Sequence, residues 1–176
     1  MTIDVQLEPM DDGVRPVAFR WDADTDILSA RIAPAAGEDT AAGAVQLEGS
    51  DGSWISLETR SGALVGVEVV VWPEVRVRSG LLPPAVGGAN RALFPSTSLP
   101  GGDGGGARGG VVELETAVLA EADGAEEVIY FRVGRNPPAR AVCVGRDLLV
   151  EVDRSHRLAG IWLLNVPPFP STAQAP

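Results

Sequence analysis

The sequence predicts an all-β, mainly antiparallel fold made of two similar lobes. Its 176 residues include 21 glycines and 14 prolines, which favours many turns over long helices. Only 5% of the residues are aromatic, so branched aliphatic side chains must supply much of the core. A strand-and-turn pattern also occurs twice, at residues 21–32 followed by 60–69, and at 123–133 followed by 154–161. We therefore expect two lobes that pack together as a sandwich or barrel-like unit.

The first lobe is predicted at residues 16–73, after an N-terminal segment at 1–15. Its strands are expected, in order, at residues 17–21, 27–32, 44–47, 54–58 and 64–72. The last of these is the clearest, because Val65, Val67 and Val69 line one face while Leu64 and Val70 lie on the other. A strand that is apolar on both faces needs a second layer, and the other lobe is the expected one.

Residues 74–110 are predicted to be a Pro/Gly-rich linker. Several prolines interrupt the strand pattern, and the stretch from Gly101 to Gly110 is rich in glycine. Within this linker, Ala92-Leu93-Phe94 is apolar enough to dock on a lobe. The second lobe is expected at residues 111–168, with strands at residues 111–115, 127–133, 141–144, 148–152 and 158–166. Residues 169–176 are expected to form a tail that frays.

We interpret the two lobes as an internal duplication. Residues 26–28 correspond to 127–129 at a separation of 101 residues, whereas Leu64 and Gly66 correspond to Leu158 and Gly160 at a separation of 94. The difference fits a shorter loop around Asn136 in the second lobe.

One strand does not fit this alignment. Ile55 and Leu57, the inward pair expected in the first lobe, do not fall on the equivalent residues of the strand at 148–152. A slip of one residue reverses the two faces of a strand. Either the second hairpin turn is one residue longer, or the two lobes bury different faces of this strand.

These residues resemble the YuzE-like domains, a family of small bacterial proteins of unknown function. Trp21-Asp22, Asp26 and Leu28 resemble the first part of the family pattern, and the segment from Gly62 to Val69 resembles the second. In the second lobe, His156 replaces the turn glycine and Trp162 replaces a glutamate. The resemblance implies a compact antiparallel β-fold in tandem and brings no established catalytic residues. An antitoxin-like role, ascribed to some relatives that lie beside small toxin genes, extends to this chain only by analogy.

Composition excludes several function classes. The net charge is −10 and every basic residue is an arginine, so no basic stripe is available for nucleic acid. No apolar stretch is long enough for a membrane helix, and the acidic start does not resemble a signal peptide, so a cytoplasmic protein is expected. Cys143 is the single cysteine, which excludes an intrachain disulfide and a thiolate-clustered metal site. We expect no cofactor and no metal.

The most concentrated acidic cluster contains Asp22, Asp24 and Asp26. Alternating carboxylates resemble the start of a calcium loop, but Ile27 stands where the loop needs glycine and Ala33 where it needs glutamate. Capping of a β-turn through local hydrogen bonds is the favoured interpretation, and a weak cation site is the alternative.

Four further residues are candidates for a ligand or partner surface: Arg31, Glu68, Arg132 and Trp162. Glu68 and Trp162 occupy equivalent positions in the two long strands, where they could line a shared groove or serve as an edge residue and a packed indole. His156 is expected on an exposed turn, where a catalytic base is poorly held, and Cys143 is expected to be a small buried apolar residue.

The sequence thus predicts a non-enzymatic cytoplasmic protein that binds a protein partner or associates with itself. Strand edges suit the addition of another chain's strand, and the acidic balance favours a basic partner. The alternative is an enzyme, a small-ligand binder or a cation binder that uses Asp22, Asp26 and Glu68 with Arg31 or Arg132.

Overall fold

Short runs of branched aliphatic residues form the strands of this protein, and glycine, asparagine and aspartate form its turns. We describe it from a computed structural model in which residues 3–11, 13–35, 43–95 and 110–170 are described. These residues contain fourteen strands and no helix. The strands are β1 (Gln6–Pro9), β2 (Val17–Asp22), β3 (Ile27–Ile32), β4 (Gly43–Glu48), β5 (Trp54–Arg60), β6 (Ala63–Val71), β7 (Val75–Val77), β8 (Asn90–Leu93), β9 (Val111–Glu115), β10 (Val118–Ala122), β11 (Val128–Val133), β12 (Arg140–Gly145), β13 (Leu148–Val152) and β14 (Leu158–Leu164).

The first sheet has eight strands. Its main body runs in the order β2-β3-β6-β5-β4-β9, and the β1–β8 pair joins the start of β6, where Ala63 pairs with Leu93. All of its pairs are antiparallel except β4 with β9.

The second sheet has six strands in the order β7-β10-β11-β14-β13-β12, and only β7 with β10 is parallel. The prediction of an all-β protein is confirmed, but both sheets are mixed. Each parallel pair forms where the chain passes from the first sheet to the second. β9 pairs with β4 in the first sheet and continues through Thr116 and Ala117 into β10 of the second sheet. β7 follows β6 of the first sheet and pairs with β10 in the second.

The same strand order occurs in the bodies of both sheets. The order β2-β3-β6-β5-β4 in the first matches β10-β11-β14-β13-β12 in the second. The register shifts at the same place in both, after Glu58 in β5 and after Glu151 in β13. Of the two explanations for the misaligned strand, the longer turn is the observed one: Thr59 pairs with Leu64 across one turn, whereas Val152 pairs with Leu158 across the other.

One core joins the two sheets. Leu28, Leu57 and Val69 from the first sheet and Phe131 and Ile161 from the second are fully buried in the same apolar cluster. Burying such a side chain contributes about 1.5–3 kcal/mol each. Ala92 and Phe94, within the predicted linker, also lie in this core, as expected of the apolar triplet at 92–94.

The outer face of the second sheet is covered by residues 78–89, which we call the strap. At one end the amide of Arg78 donates to Ala122 O (2.8 Å), and at the other Cys143 N donates to Gly88 O (3.0 Å). Leu81, in the middle, packs with Tyr130, Leu149 and Trp162. The strap therefore crosses the sheet from the β10 side to β12.

Two predicted regions fall outside the described residues: most of the glycine-rich stretch, at 101–109, and the end of the tail, at 171–176. Among the residues that are described, no helix is long and apolar enough to cross a membrane.

Candidate functional site

The Asp22, Asp24 and Asp26 cluster forms the turn between β2 and β3. The amide of Asp24 donates to Asp22 Oδ1 (3.0 Å), which is the local hydrogen bond expected of a turn-capping aspartate. Asp26 has a positive φ of 58°. Among the described residues, no group of three or more His, Cys, Asp or Glu side chains is arranged to hold a metal ion.

Arg31 and Glu68 lie on the outer face of the first sheet. Arg31 Nη2 donates to Glu58 Oε1 (2.9 Å), and Ser29 Oγ donates to Glu68 Oε1 (2.9 Å). Glu68 points away from the core because its neighbours Val67 and Val69 point into it. Glu68 is not among the residues that line the cavity beside Asp26.

Arg132 and Trp162 lie on the outer face of the second sheet, beneath or beside the strap. Trp162 is buried and stacks on Tyr130, with ring centroids 4.3 Å apart. Arg132 Nη2 donates to Arg135 O (3.3 Å). The two sheets pack on one shared core, so their outer faces point in opposite directions. Glu68 and Trp162 lie on these opposite faces and therefore do not line a shared groove.

An arginine–glycine–glutamate row recurs on both outer faces. Arg31, Gly66 and Glu58 lie side by side in the first sheet. The second sheet repeats the row with Arg132, Gly160 and Glu151. In each row the glutamate carboxylate lies over the glycine, where a Cβ atom would meet it.

The second of these rows is the more buried at its glutamate. Glu151 is only 5% exposed, and a Cβ on Gly160 would lie 2.6 Å from the Tyr130 ring. Burial, followed by the neighbouring Glu151 carboxylate, raises the pKa of Tyr130. These contacts make the row a rigid part of the sheet under the strap.

His156 and Cys143 differ in their exposure. His156 is an exposed turn residue with a φ of 59°. The half-buried Cys143 donates its thiol to Gly145 O (3.1 Å), and burial raises the pKa of that thiol. Since a thiolate is the reactive form, Cys143 is a poor nucleophile at neutral pH.

The strongest candidate site is an apolar cleft between the two sheets, which we call the aromatic cleft. It has a volume of about 410 Å³ and lies where the β2–β3 turn, the end of β6 and the β10–β11 turn come together. Its apolar lining residues are Trp21, Trp72, Val75, Ala122, Ile129 and Phe169, and its two acidic lining residues are Asp26 and Glu126.

The aromatic rings of the cleft form a continuous series from the core to the surface. Phe131, fully buried, contacts Trp72 at 5.9 Å between centroids. Trp72 stacks on Trp21 at 5.6 Å with 19° between the planes, and Phe169 meets Trp21 nearly perpendicularly at 5.0 Å. Because each ring packs on the next, the cleft wall is preorganised.

Both indole N–H groups are used within the protein. Trp72 Nε1 donates to Asp26 O, and Trp21 Nε1 donates to Pro167 O, each at 2.8 Å. The indoles therefore offer a ligand their π-surfaces and not a hydrogen bond.

The two cleft carboxylates come from strained turn residues. Asp26 and Glu126 both have a φ of 58°, in the left-handed region. Aspartate tolerates this conformation, whereas for glutamate it costs about 1–2 kcal/mol. Strain of this kind often accompanies a functional position.

Sequence reasoning identified only Asp26 among the residues that line the cleft. The sequence pattern places Trp21 in the repeat, Trp72 at the end of a strand and Phe169 at the start of the tail. The available signal was the clustering of scarce aromatic residues at strand ends, but their convergence depends on strand order that the sequence does not show.

A larger cavity, of about 760 Å³, lies at the opposite end of the β10–β11 hairpin. In the part of the chain that the structure describes, no aromatic side chain lines it, and the lining is mostly made of turn residues such as Gly49, Ser50 and Gly52. Ligand sites are usually apolar with a few convergent polar groups, so the aromatic cleft is the better candidate.

No protein-family model matches the chain, and no curated protein matches it.

Proposed function

We propose that this is a non-enzymatic binding protein that takes up a basic segment of a protein partner at the aromatic cleft. The observation that carries the proposal is the cleft itself, in which Trp21, Trp72 and Phe169 form an apolar wall beside the carboxylates of Asp26 and Glu126. Aromatic anchors in a preformed pocket contribute much of the affinity of protein interfaces.

Charge supports a basic partner. The protein carries 24 acidic residues against 14 arginines, and none of the arginines in the described part of the chain lines the aromatic cleft. A negative surface accelerates the approach of a positive partner and disfavours an acidic one. A cytoplasmic location is part of this proposal, supported by the lone Cys143, which can form no intrachain disulfide.

Binding at the aromatic cleft is favoured over the catalytic alternative built on Asp26 and Glu68, because only Asp26 of that pair lines the cleft. Asp26 lines the aromatic cleft, whereas Glu68 lies on an outer sheet face and accepts a hydrogen bond from Ser29. General acid–base chemistry needs two such groups within reach of one substrate.

We also propose that the two five-strand bodies are tandem YuzE-like lobes that arose by duplication. The shared strand order, the matching register shifts after Glu58 and Glu151, and the repeated arginine–glycine–glutamate rows support this origin. A difference of one residue between the two hairpin turns accounts for the strand that did not align.

Self-association is a second possibility, favoured by the first sheet's edge strands β2 and β9. An edge strand presents unpaired backbone groups to another chain. The same experiment decides between a partner and a second copy.

The test is affinity purification from the native host with the intact chain, the Trp21→Ala variant and the control Trp54→Ala. Trp54 is a partly exposed indole outside the cleft, and thermal melts of all three proteins check folding. A stoichiometric basic partner that is lost only with Trp21→Ala supports the proposal. A partner that Trp21→Ala retains, or a lone monomer by native mass, overturns it, and a dimer that survives Trp21→Ala replaces it with self-association.

A further inference from the structure

We infer that the group entering the aromatic cleft is an arginine guanidinium from the partner. This inference rests on the proposed function and specifies its ligand. It follows from the chemistry of the cleft wall, from the two carboxylates and from the way this chain pairs its own arginines.

The wall suits a flat cation. Trp21 and Trp72 stack on each other with 19° between their planes, and their N–H groups are bonded to Pro167 O and Asp26 O, so an incoming group stacks on the indole surface that remains open to the cleft. A guanidinium is planar and weakly hydrated, and it stacks on indole, whereas a lysine ammonium is a compact and strongly hydrated point charge.

The carboxylates supply the matching acceptors. Asp26 and Glu126 are exposed at the cleft, and among the described residues neither carboxylate has a hydrogen-bond or ion-pair partner. A guanidinium carries five N–H donors in a fixed fork, so it can bond both carboxylates while its plane rests on the indoles.

Two glutamates outside the cleft, unlike Asp26 and Glu126, are paired with arginines of this chain. Glu58 accepts from Arg31 at 2.9 Å, and Glu121 accepts from Arg78 at 3.0 Å. Among the described residues, no arginine pairs with Asp26 or Glu126 in this way, and both line a cleft with an apolar wall. An arginine from another chain would form at the cleft the same kind of ion pair that Arg31 forms with Glu58 and Arg78 forms with Glu121.

The probes are three capped tripeptides, Gly-X-Gly, in which X is arginine, lysine or citrulline. Citrulline keeps the shape of arginine and removes its charge. We expect saturable binding of the arginine peptide to the intact protein, with a Kd of about 0.1–10 mM by calorimetry and with shifts of the Trp21 and Trp72 indole N–H signals by NMR. Citrulline and lysine peptides should bind at least about tenfold more weakly, since they lack the charge or the planar fork.

Two variants test the carboxylates against a matched control. Asp26→Asn combined with Glu126→Gln removes both charges and should weaken the arginine peptide by about tenfold or more. Asp24→Asn removes one charge from the same turn but lies outside the cleft lining, so it should change the Kd by less than about twofold, because exposed charges are screened.

Each contrary result has a defined meaning. Equal binding of arginine and citrulline, equal binding of arginine and lysine, or no saturable binding of the arginine peptide overturns the inference. If such a result is accompanied by partner capture that Trp21→Ala abolishes, the proposed function survives with another ligand chemistry. If the Trp21→Ala variant still captures the partner, both the arginine inference and the proposed function are wrong.

Discussion

Trp72 donates its indole N–H to the backbone carbonyl of Asp26 at 2.8 Å, and so joins the end of β6 to the β2–β3 turn. The same indole stacks on Trp21 and touches Phe131 in the core. One side chain thus couples the apolar core, the cleft wall and the turn that holds a cleft carboxylate.

The first prediction concerns this hydrogen bond. Trp72→Phe keeps an aromatic ring but removes the N–H donor and some buried surface, so we expect a loss of about 1–3 kcal/mol in the free energy of unfolding. Urea denaturation measures this loss. Trp54→Phe, at an indole that is 37% exposed on the outer face, should change the free energy of unfolding by less than about 0.5 kcal/mol. Equal effects of the two substitutions would show that the Trp72–Asp26 bond has no stabilising role.

The second prediction compares two glycines in equivalent rows. A Cβ at Gly160 would lie 2.5 Å from Glu151 Oε2 and 2.6 Å from the Tyr130 ring, both buried beneath the strap. We expect Gly160→Ala to destabilise the protein by about 1–3 kcal/mol. At Gly66 the nearest atom belongs to the end of the partly exposed Glu58 side chain, which can move, so Gly66→Ala should cost less.

Thermal unfolding of both variants, with Gly124→Ala as the control, checks this ranking. A Cβ at Gly124 meets nothing within 4 Å, and its φ is not in the left-handed region, so this substitution should be nearly neutral. If Gly66→Ala destabilised the protein more than Gly160→Ala, the contacts around Gly160 would be less rigid than those around Gly66.

Local patterns predicted much of this fold, because strand periodicity is written in neighbouring residues. Strands predicted at residues 27–32, 111–115 and 148–152 match β3, β9 and β13. β10 was missed because its alternating residues are mostly alanines, and β7 because its three exposed residues form a strand only by pairing with β10. Trp21, Trp72 and Phe169 meet through tertiary strand order, which no local pattern encodes.

The third prediction is a pH dependence of stability at Asp153. This carboxylate accepts bonds from Arg157 N (2.9 Å), Asn136 Nδ2 (2.6 Å) and Ser155 N (2.8 Å). Burial acts to raise the pKa of Asp153, but these bonds outweigh it and hold the pKa below its usual value. A lowered folded-state pKa gives stability that is present above the unfolded pKa of about 3.9 and is lost as pH falls through the folded pKa.

Asp153→Asn should therefore lower the free energy of unfolding by about 1–3 kcal/mol at pH 7. The difference from the wild-type protein should shrink as the pH falls below about 4. Urea midpoints measured from pH 7 to pH 3 test this, with Asp24→Asn as an exposed control. A difference that stays constant over that range would mean that Asp153 acts through shape and not through its charge.

The last prediction concerns the strap. Leu81 is 4% exposed and packs with Tyr130, Leu149 and Trp162, whereas the adjacent Leu82 is 78% exposed. Leu81→Ala removes buried surface and leaves a cavity, so we expect a loss of about 2–5 kcal/mol, while Leu82→Ala should cost less than about 0.5 kcal/mol. Cys143 belongs to the same cluster, and its amide bonds to Gly88 of the strap, so a loosened strap should expose its thiol. Labelling of Cys143 by a thiol reagent should thus be faster in Leu81→Ala than in Leu82→Ala under conditions where both variants remain folded. Equal labelling rates would show that the strap covers the second sheet without shielding it, and that its contacts at Gly88 hold independently of Leu81.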